Sequence, residues 1–233
     1  RYDRQVWLTE FCAWEAATVT AESQRQTMIQ KLALLEESEW VYRYAWFKAR
    51  NANTYPYYNL VEYPNRQKGI AAGTYTALGF AYVHMSTFDK EKFYEPGEVI
   101  PVNAFVAATG LKDIQWSIDP LTRDSVELGL QGSGLSVTYQ VSVPEAGYYL
   151  LTLRYQAAAA GSVTATVGDK NYPLTTAATT AWAETHIPMV LSAGAQTIDL
   201  TNTGGKATDI DCIQIEKQNI APFRYSTVNG EYH

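Results

Sequence analysis

The 233-residue chain changes its hydrophobic pattern near residue 95. Before this point, apolar residues recur at helical spacing between two apolar runs. After it, short segments alternate apolar and polar residues and end in Gly-containing turns. A period of 3.6 and a period of 2 belong to different elements, so the change predicts two structural units. The dipeptide Pro96-Gly97 is typical of the turn between them. We therefore expect a unit at 1–93, a linker at 94–101, a second unit at 102–217 and a tail at 218–233.

The first unit alternates strands with helices. Apolar runs at 5–11 and 40–47 are typical of buried strands, and each is followed by a helical pattern, at about 21–38 and 74–84. This order predicts two parallel β/α units and the α/β class. Because a complete β/α barrel takes about 250 residues, two units would be only part of a TIM-type barrel.

The start of the first helix carries a capping signal. Met28, Leu32 and Leu35 recur at helical spacing, and Thr20 or Ser23 precedes them. A hydroxyl side chain at this place can accept a hydrogen bond from a backbone N–H of the first turn. We expect one of the two to cap the helix.

The second unit has the pattern of an antiparallel, jelly-roll-like β-sandwich. Val137, Tyr139, Val141 and Val143 alternate with polar residues, as expected of a strand with one buried face. Regular short strands with turn signals between them indicate an all-β domain. Further strands are predicted at 162–167, 183–191, 196–201 and 209–216.

Composition and charge exclude several classes of function. The net charge of −6 without a Lys/Arg block argues against nucleic acid as a partner, and no apolar run reaches the roughly 18 residues of a membrane span. The distant Cys12 and Cys212 form neither a disulfide framework nor a metal cluster. Few charges with many Tyr, Trp, Thr and Gly favour an extracellular protein. The chain does not start with Met, so we expect Arg1 to be a processed end or a boundary within a longer protein.

Glu10 is the first candidate for chemistry. It ends an apolar strand, and barrel enzymes hold their catalytic groups at the carboxyl ends of parallel strands. Glycoside cleavage uses two such carboxyls, one as acid and one as nucleophile or base. A strand-end Glu that caps the next helix or pairs with an Arg is the alternative.

Aromatic residues follow the second strand closely. Trp46 ends that strand, and the loop after it carries Tyr55, Tyr57, Tyr58 and Tyr63. Aromatic faces around a carboxylate are typical of a sugar cleft. The tyrosines could equally cover an interface with the second unit.

The segments Trp7-Leu8-Thr9-Glu10-Phe11 and Tyr44-Ala45-Trp46-Phe47, with the helices after them, resemble the last two β/α units of family 128 glycoside hydrolases. The resemblance implies a β/α-barrel endo-β-1,3-glucanase of the retaining type. It makes Glu10 the nucleophile and Trp46 a sugar-stacking residue. The family's acid/base glutamate belongs to a strand that has no counterpart in this chain. We therefore expect the chain alone to be inactive and its partner to be the missing N-terminal part of the barrel.

The second unit resembles carbohydrate-binding modules of families 6 and 35. The resemblance rests on Gly134–Val141, Ala146–Tyr155, Val190–Gly194 and Asp209–Ile213. It implies a sugar cleft in which Trp182 and Asp209 contact the ligand, with Trp116 as a further aromatic from another loop. Trp182 could instead match a buried tryptophan of these modules.

A structural calcium ion accompanies many of these modules. The stretch 103–106 lacks the glutamate that would help to hold it, which leaves Asp211 as the one feature in its favour. We expect no cofactor and no catalytic metal.

Two functions follow from the sequence. The first is the C-terminal portion of a secreted glycoside hydrolase acting on β-glucan, with β-1,3-linked glucan as the expected substrate and an ancillary sugar-binding sandwich. The second is a non-catalytic extracellular protein that binds glycan or serves in assembly. Glu10 and Trp46 together favour the first, whereas the incomplete sandwich cleft favours the second.

Overall fold

The computed structural model of the chain describes residues 4–13, 18–36, 38–50, 56–86, 91–110, 113–117, 119, 121–123, 126–219, 227–228 and 231–232. The first unit follows the predicted order of strand, helix, strand and helix. Its elements are β1 (Val6–Phe11), α1 (Ala21–Glu36), β2 (Val41–Trp46) and α2 (Ala77–Ser86). β1 and β2 pair in parallel, with Val6 opposite Val41 and Phe11 opposite Trp46. Within the described residues this parallel sheet has two strands.

Helix α1 begins with a reciprocal cap. The Thr20 hydroxyl accepts a hydrogen bond from the Ser23 backbone N–H at 3.1 Å, and the Ser23 hydroxyl accepts one from the Thr20 N–H at 2.8 Å. This pattern satisfies two backbone donors at the helix start and confirms the capping prediction. One turn later Met28, Ile29 and Leu32 are fully buried, and this apolar stripe holds α1 against the rest of the molecule.

An aromatic layer joins the parallel strands to the helices. The rings of Phe11 and Tyr82 both meet the Tyr44 ring edge to face, with centroids 5.9 and 6.3 Å from it. The Tyr44 hydroxyl also donates to Glu36 at the end of α1. Such edge-to-face pairs add about 0.5–1.5 kcal/mol each to the burial of the rings. They fix how α1 and α2 lie on the strand pair.

The predicted linker lies against the sandwich. The Tyr94 N–H donates to the Gln140 carbonyl at 3.1 Å, and the Tyr94 carbonyl accepts from the Ser142 N–H at 2.8 Å. The short strand β3 (Val99–Pro101) follows in the chain and pairs with residues 212–214 of the second unit. A further hydrogen bond, 2.6 Å from the Asn103 amide to the His84 carbonyl, joins the end of α2 to the second unit.

The second unit is the predicted antiparallel sandwich. Its strands are β4 (Ala107–Thr109), β5 (Gln115–Ser117), β6 (Glu127–Leu130), β7 (Ser136–Val143), β8 (Gly147–Ala157), β9 (Gly161–Val167), β10 (Lys170–Thr176), β11 (Thr179–Leu191), β12 (Gly194–Asn202) and β13 (Thr208–Lys217). One sheet has the order β10–β9–β12–β7–β4, and the other has the order β11–β8–β13–β6–β5, with β3 also paired to β13.

The core of the sandwich follows the alternation of the sequence. Inward-facing residues such as Val137, Val141 and Leu151 are fully buried, while their neighbours along the strand are partly exposed. The buried Tyr139 hydroxyl donates to the Val102 carbonyl at 2.9 Å, which ties the entry of the domain to its centre. Because the hydroxyl is desolvated, the pKa of Tyr139 is raised.

The predicted tail contains two short strands. They are β14 (Thr227–Val228) and β15 (Glu231–Tyr232), and they pair in antiparallel fashion. Neither described helix is long and apolar enough to cross a membrane.

Candidate functional site

Glu10 lies near the carboxyl end of β1 with its side chain exposed. It borders a cavity of about 320 Å3 that Phe11, Cys12 and Phe47 also line. Among these lining residues Glu10 is the one carboxylate. The strand end and the open surface agree with the position predicted for a nucleophile, whose role stays a prediction.

The aromatic residues near Glu10 are divided between core and surface. Trp46 is only 6% exposed, its indole N–H donates to the Tyr58 carbonyl at 2.9 Å, and its ring meets Phe11 edge to face at 5.2 Å. Tyr57 is exposed, and Tyr55 lies outside the described residues. The structure thus packs Trp46 tightly in its unit, and its predicted sugar contact requires a ring face to open.

Trp116 belongs to the core of the sandwich. Its side chain is 1% exposed, and its ring centre lies 5.8 Å from that of Phe105. A ring that is covered on both sides has no face to offer to a sugar. The prediction of Trp116 as a further ligand aromatic is therefore corrected: Trp116 is the middle residue of β5, and its side chain packs in the interior of the sandwich.

Trp182 stands in a charged cluster on the outer face of the six-stranded sheet. Its indole N–H donates to Asp119 at 3.0 Å, and the Arg154 guanidinium carbon lies 5.1 Å from the centre of its ring. Arg154 also forms an ion pair with Asp211. Trp182 is partly exposed and so differs from a buried core tryptophan.

Asp211 occupies a bulge in β13. The pairing of β13 with β8 shifts between Ile210 and Cys212, which turns the Asp211 side chain into the cluster. One of its oxygens accepts from the Arg123 N–H at 2.8 Å and the other pairs with Arg154, although the side chain is almost fully buried. Asp211 was the one residue in the sequence that favoured a calcium site. Its carboxylate is already bound by the Arg154 side chain and the Arg123 backbone N–H. Among the described residues, no group of three or more His, Cys, Asp or Glu could hold a metal ion.

Asp209 lies beside a second depression of about 520 Å3 on the same face. It accepts a hydrogen bond from the Gln131 amide at 3.0 Å, and its pKa is raised because the carboxyl is partly desolvated. Trp116 borders this depression, but its side chain is buried in the interior of the sandwich. Trp182 stands apart from Asp209, with Arg154 and Asp211.

Glu127 is a residue that the sequence prediction missed. It lies on β6 directly opposite Ser117 and lines the same depression as Asp209. Burial, and then the negative charge of Asp209, raise the pKa of Glu127 to about 7 despite a hydrogen bond with Ser117. Smaller contributions come from Asp119 and Asp211. A carboxyl that changes its charge near neutral pH inside a depression is typical of a binding or catalytic site.

Two further groups have structural roles. Burial raises the pKa of the Cys212 thiol to about 12, and desolvation also raises the pKa of Cys12. Both shifts keep the sulfur in its unreactive thiol form.

The first unit matches a known protein family. Residues 1–82 match the family described as glycosyl hydrolase catalytic core. The match includes β1, α1, β2 and most of α2, and it leaves the sandwich outside. Among curated proteins, no significant match to the chain was found.

The sandwich is similar to solved carbohydrate-binding modules. One is a module of Cellvibrio mixtus lichenase 5A in complex with cellotriose, with 21% identity, a TM-score of 0.47, and coverage of 52% of this chain and 98% of the module. Another is a family 6 module of Clostridium stercorarium in complex with cellobiose, with 16% identity, a TM-score of 0.45, and coverage of 55% of this chain and 99% of the module. A third is the C-terminal family 6 module of LamC, a laminarinase of Zobellia galactanivorans, with 18% identity, a TM-score of 0.44, and coverage of 52% and 98%. The sandwich of this chain is defined by its own two sheets and their strand order.

Proposed function

We propose that this chain is the β-glucan-recognising portion of an extracellular retaining glycoside hydrolase similar to family 128, and that β-1,3-linked glucan is its substrate. The observation that carries the proposal is Glu10, an exposed carboxylate near the end of a parallel strand inside the segment that matches the glycosyl hydrolase catalytic core. In this role Glu10 is the nucleophile.

Retaining cleavage also needs an acid/base about 5–5.5 Å from the nucleophile. The cavity beside Glu10 has no second carboxylate among its described lining residues, which are Phe11, Cys12 and Phe47. The acid/base therefore comes from a further β/α segment, either of the same polypeptide or of a separate chain. This chain alone binds glucan without cleaving it.

The sandwich supplies the binding surface in this proposal. Trp182 and Asp209 are its sugar contacts, one through a partly exposed ring and one through a carboxylate at the rim of a depression. The exposed Tyr57 belongs to the glucan path of the first unit, and Trp46 joins this path once one of its ring faces opens.

A non-catalytic glycan-binding protein is the second candidate. Its support is the tight packing of Trp46, together with the fact that Glu10 is the one carboxylate among the described residues that line its cavity. A barrel-like unit that only braces the sandwich needs neither an open tryptophan face nor an acid/base.

The test uses the chain and the longer parent protein that contains it. The chain should be retained on insoluble β-1,3-glucan and release no reducing ends from it. In the parent, Glu10→Gln should lower hydrolysis by several powers of ten and leave the melting temperature unchanged, because the side chain is exposed. Full turnover by the Glu10→Gln parent would exclude the nucleophile role, and a parent without hydrolytic activity would favour the second candidate.

A further inference from the structure

The depression beside Asp209 is built by both structural units. Helix α1 packs against β5, and Gln26 of α1 lines the depression from that side. The sandwich contributes Gln115, Glu127, Gln131 and Asp209. A ligand in this depression would therefore touch the segment that matches the glycosyl hydrolase catalytic core as well as the sandwich.

A glycine forms the floor of the depression. Gln115, Gly129 and Asp209 stand opposite one another on β5, β6 and β13, so they form a row across three strands. A Cβ at Gly129 would lie 2.2 Å from the Gln131 amide nitrogen, 2.7 Å from an Asp209 carboxylate oxygen and 3.2 Å from the Gln115 Cβ. The missing side chain thus lets the Gln131 amide and the Asp209 carboxylate lie directly over the Gly129 backbone, where they form a hydrogen bond.

The lining selects a neutral ligand that both donates and accepts hydrogen bonds. Three primary amides, from Gln26, Gln115 and Gln131, line the depression, and each carries two N–H donors. The Gln26 carbonyl oxygen is buried, so the acceptors toward a ligand are the carbonyls of Gln115 and Gln131 and the neighbouring carboxyls. The carboxyls of Glu127 and Asp209 repel an anion. Among the described residues they do not belong to a group of three or more His, Cys, Asp or Glu that could hold a metal ion. Neighbouring hydroxyls of a sugar ring match this set, and 520 Å3 falls within the range of about 300–1,000 Å3 for small-molecule sites.

We propose that this depression is a composite sugar-binding site in which Gln26 of the first unit and the glycine-floored row of the sandwich hold the same sugar residue. The inference rests on the proposed function for the class of ligand. It adds that the two units bind glucan as one body and that the sandwich alone has an incomplete site. Recognition here is by hydrogen bonds, because the one aromatic residue among the described lining residues, Trp116, has its side chain buried in the sandwich core.

The test measures the affinity of the full chain for β-1,3- and β-1,4-linked glucotriose by calorimetry. Gln26→Ala removes one neutral hydrogen-bonding group and should weaken binding about three- to tenfold. The matched control is Gln30→Ala, an exposed glutamine one turn further along α1, which should bind like the wild type. Gly129→Ala displaces the Gln131 amide and the Asp209 carboxylate from their places over the backbone and should reduce affinity at least about tenfold.

The outcomes separate this inference from the proposed function. If the full chain binds neither glucotriose nor insoluble glucan, both are overturned. If it binds glucan and the Gln26→Ala and Gly129→Ala proteins bind equally well, the composite site is overturned and the proposed function stands. Should Gly129→Ala fail to fold, Gln26→Ala decides, since its half-buried side chain lies on the helix surface and its melting temperature shows whether the fold is kept.

Discussion

Arg154 and Asp211 form an ion pair in which the acid is buried and the base is not. The Asp211 side chain is 1% exposed and the Arg154 side chain is 28% exposed. Burial of a carboxylate is costly unless a cation and hydrogen bonds compensate it, and here the Arg123 N–H supplies the second contact. The pair therefore holds the loop before β6 and the bulge of β13 together under Trp182.

Removing Arg154 should destabilise the sandwich. Arg154→Ala leaves the Asp211 charge buried without its cation, and we expect the free energy of unfolding to fall by about 2–4 kcal/mol. Denaturant titration measures the loss. Lys217→Ala serves as the control, because it breaks an ion pair with the exposed Glu145 and should leave the unfolding midpoint unchanged. Equal effects of the two substitutions would contradict this account of Asp211.

Glu127 should make stability depend on pH. Its pKa is raised to about 7 in the folded protein, above the value of 4.5 for a free side chain. The folded state therefore binds the proton more tightly than the unfolded state, and stability should decrease as the pH rises from about 4.5 to 7 and then level off.

Glu127→Gln should remove this dependence. Above pH 7 the variant should be more stable than the wild type by about 1–2 kcal/mol, since the half-buried carboxyl is partly screened by solvent. Melting temperatures from pH 5 to 8 measure the effect, which corresponds to about 2–8 °C for a chain of this size. Glu184→Gln on the exposed side of β11 is the control and should keep the wild-type profile. A wild-type melting temperature that rises from pH 5 to 8 would falsify the assignment.

Local patterns in the sequence were sufficient for the main elements. Thr20 and Ser23 could be predicted as caps because a cap depends on three or four neighbouring residues, and the alternation around Tyr139 predicted a half-buried strand. The strands β5 and β6 were not predicted, because each has three or four residues and Gly129 interrupts the pattern of β6.

The candidate site depends on contacts between distant segments. The raised pKa of Glu127 arises only because the strand register places this residue among Ser117, Asp209 and Asp211. No local sequence pattern indicates that register. For Trp116 the local pattern is ambiguous, because an aromatic residue in a short strand can belong either to the core or to a ligand contact. Its burial decides for the core.

Gly79 should be essential for the position of α2. A Cβ at this residue would lie 1.9 Å from the Leu60 carbonyl oxygen, which already accepts a hydrogen bond from the Thr76 N–H at 3.0 Å. Gly79→Ala must push the helix off this loop, and we expect a loss of about 1–3 kcal/mol in unfolding free energy. Gly147→Ala is the control, because its Cβ would meet nothing within 4 Å. If Gly79→Ala is as stable as the control, the close approach of α2 to residue 60 is excluded.

Trp182 should contribute to glucan binding through its ring and to order through its N–H. Trp182→Ala removes both and should weaken the retention of the chain on insoluble β-1,3-glucan. Trp182→Phe keeps an aromatic face over Arg154 but loses the hydrogen bond to Asp119, so it should retain part of the binding. Loss of one stacked ring costs about 0.5–1.5 kcal/mol beyond its area, or about a two- to twelvefold change in affinity. Retention of the Trp182→Ala chain at the wild-type level would mean that the ring serves only to cover Arg154, and an unchanged melting temperature in both variants would separate binding from folding.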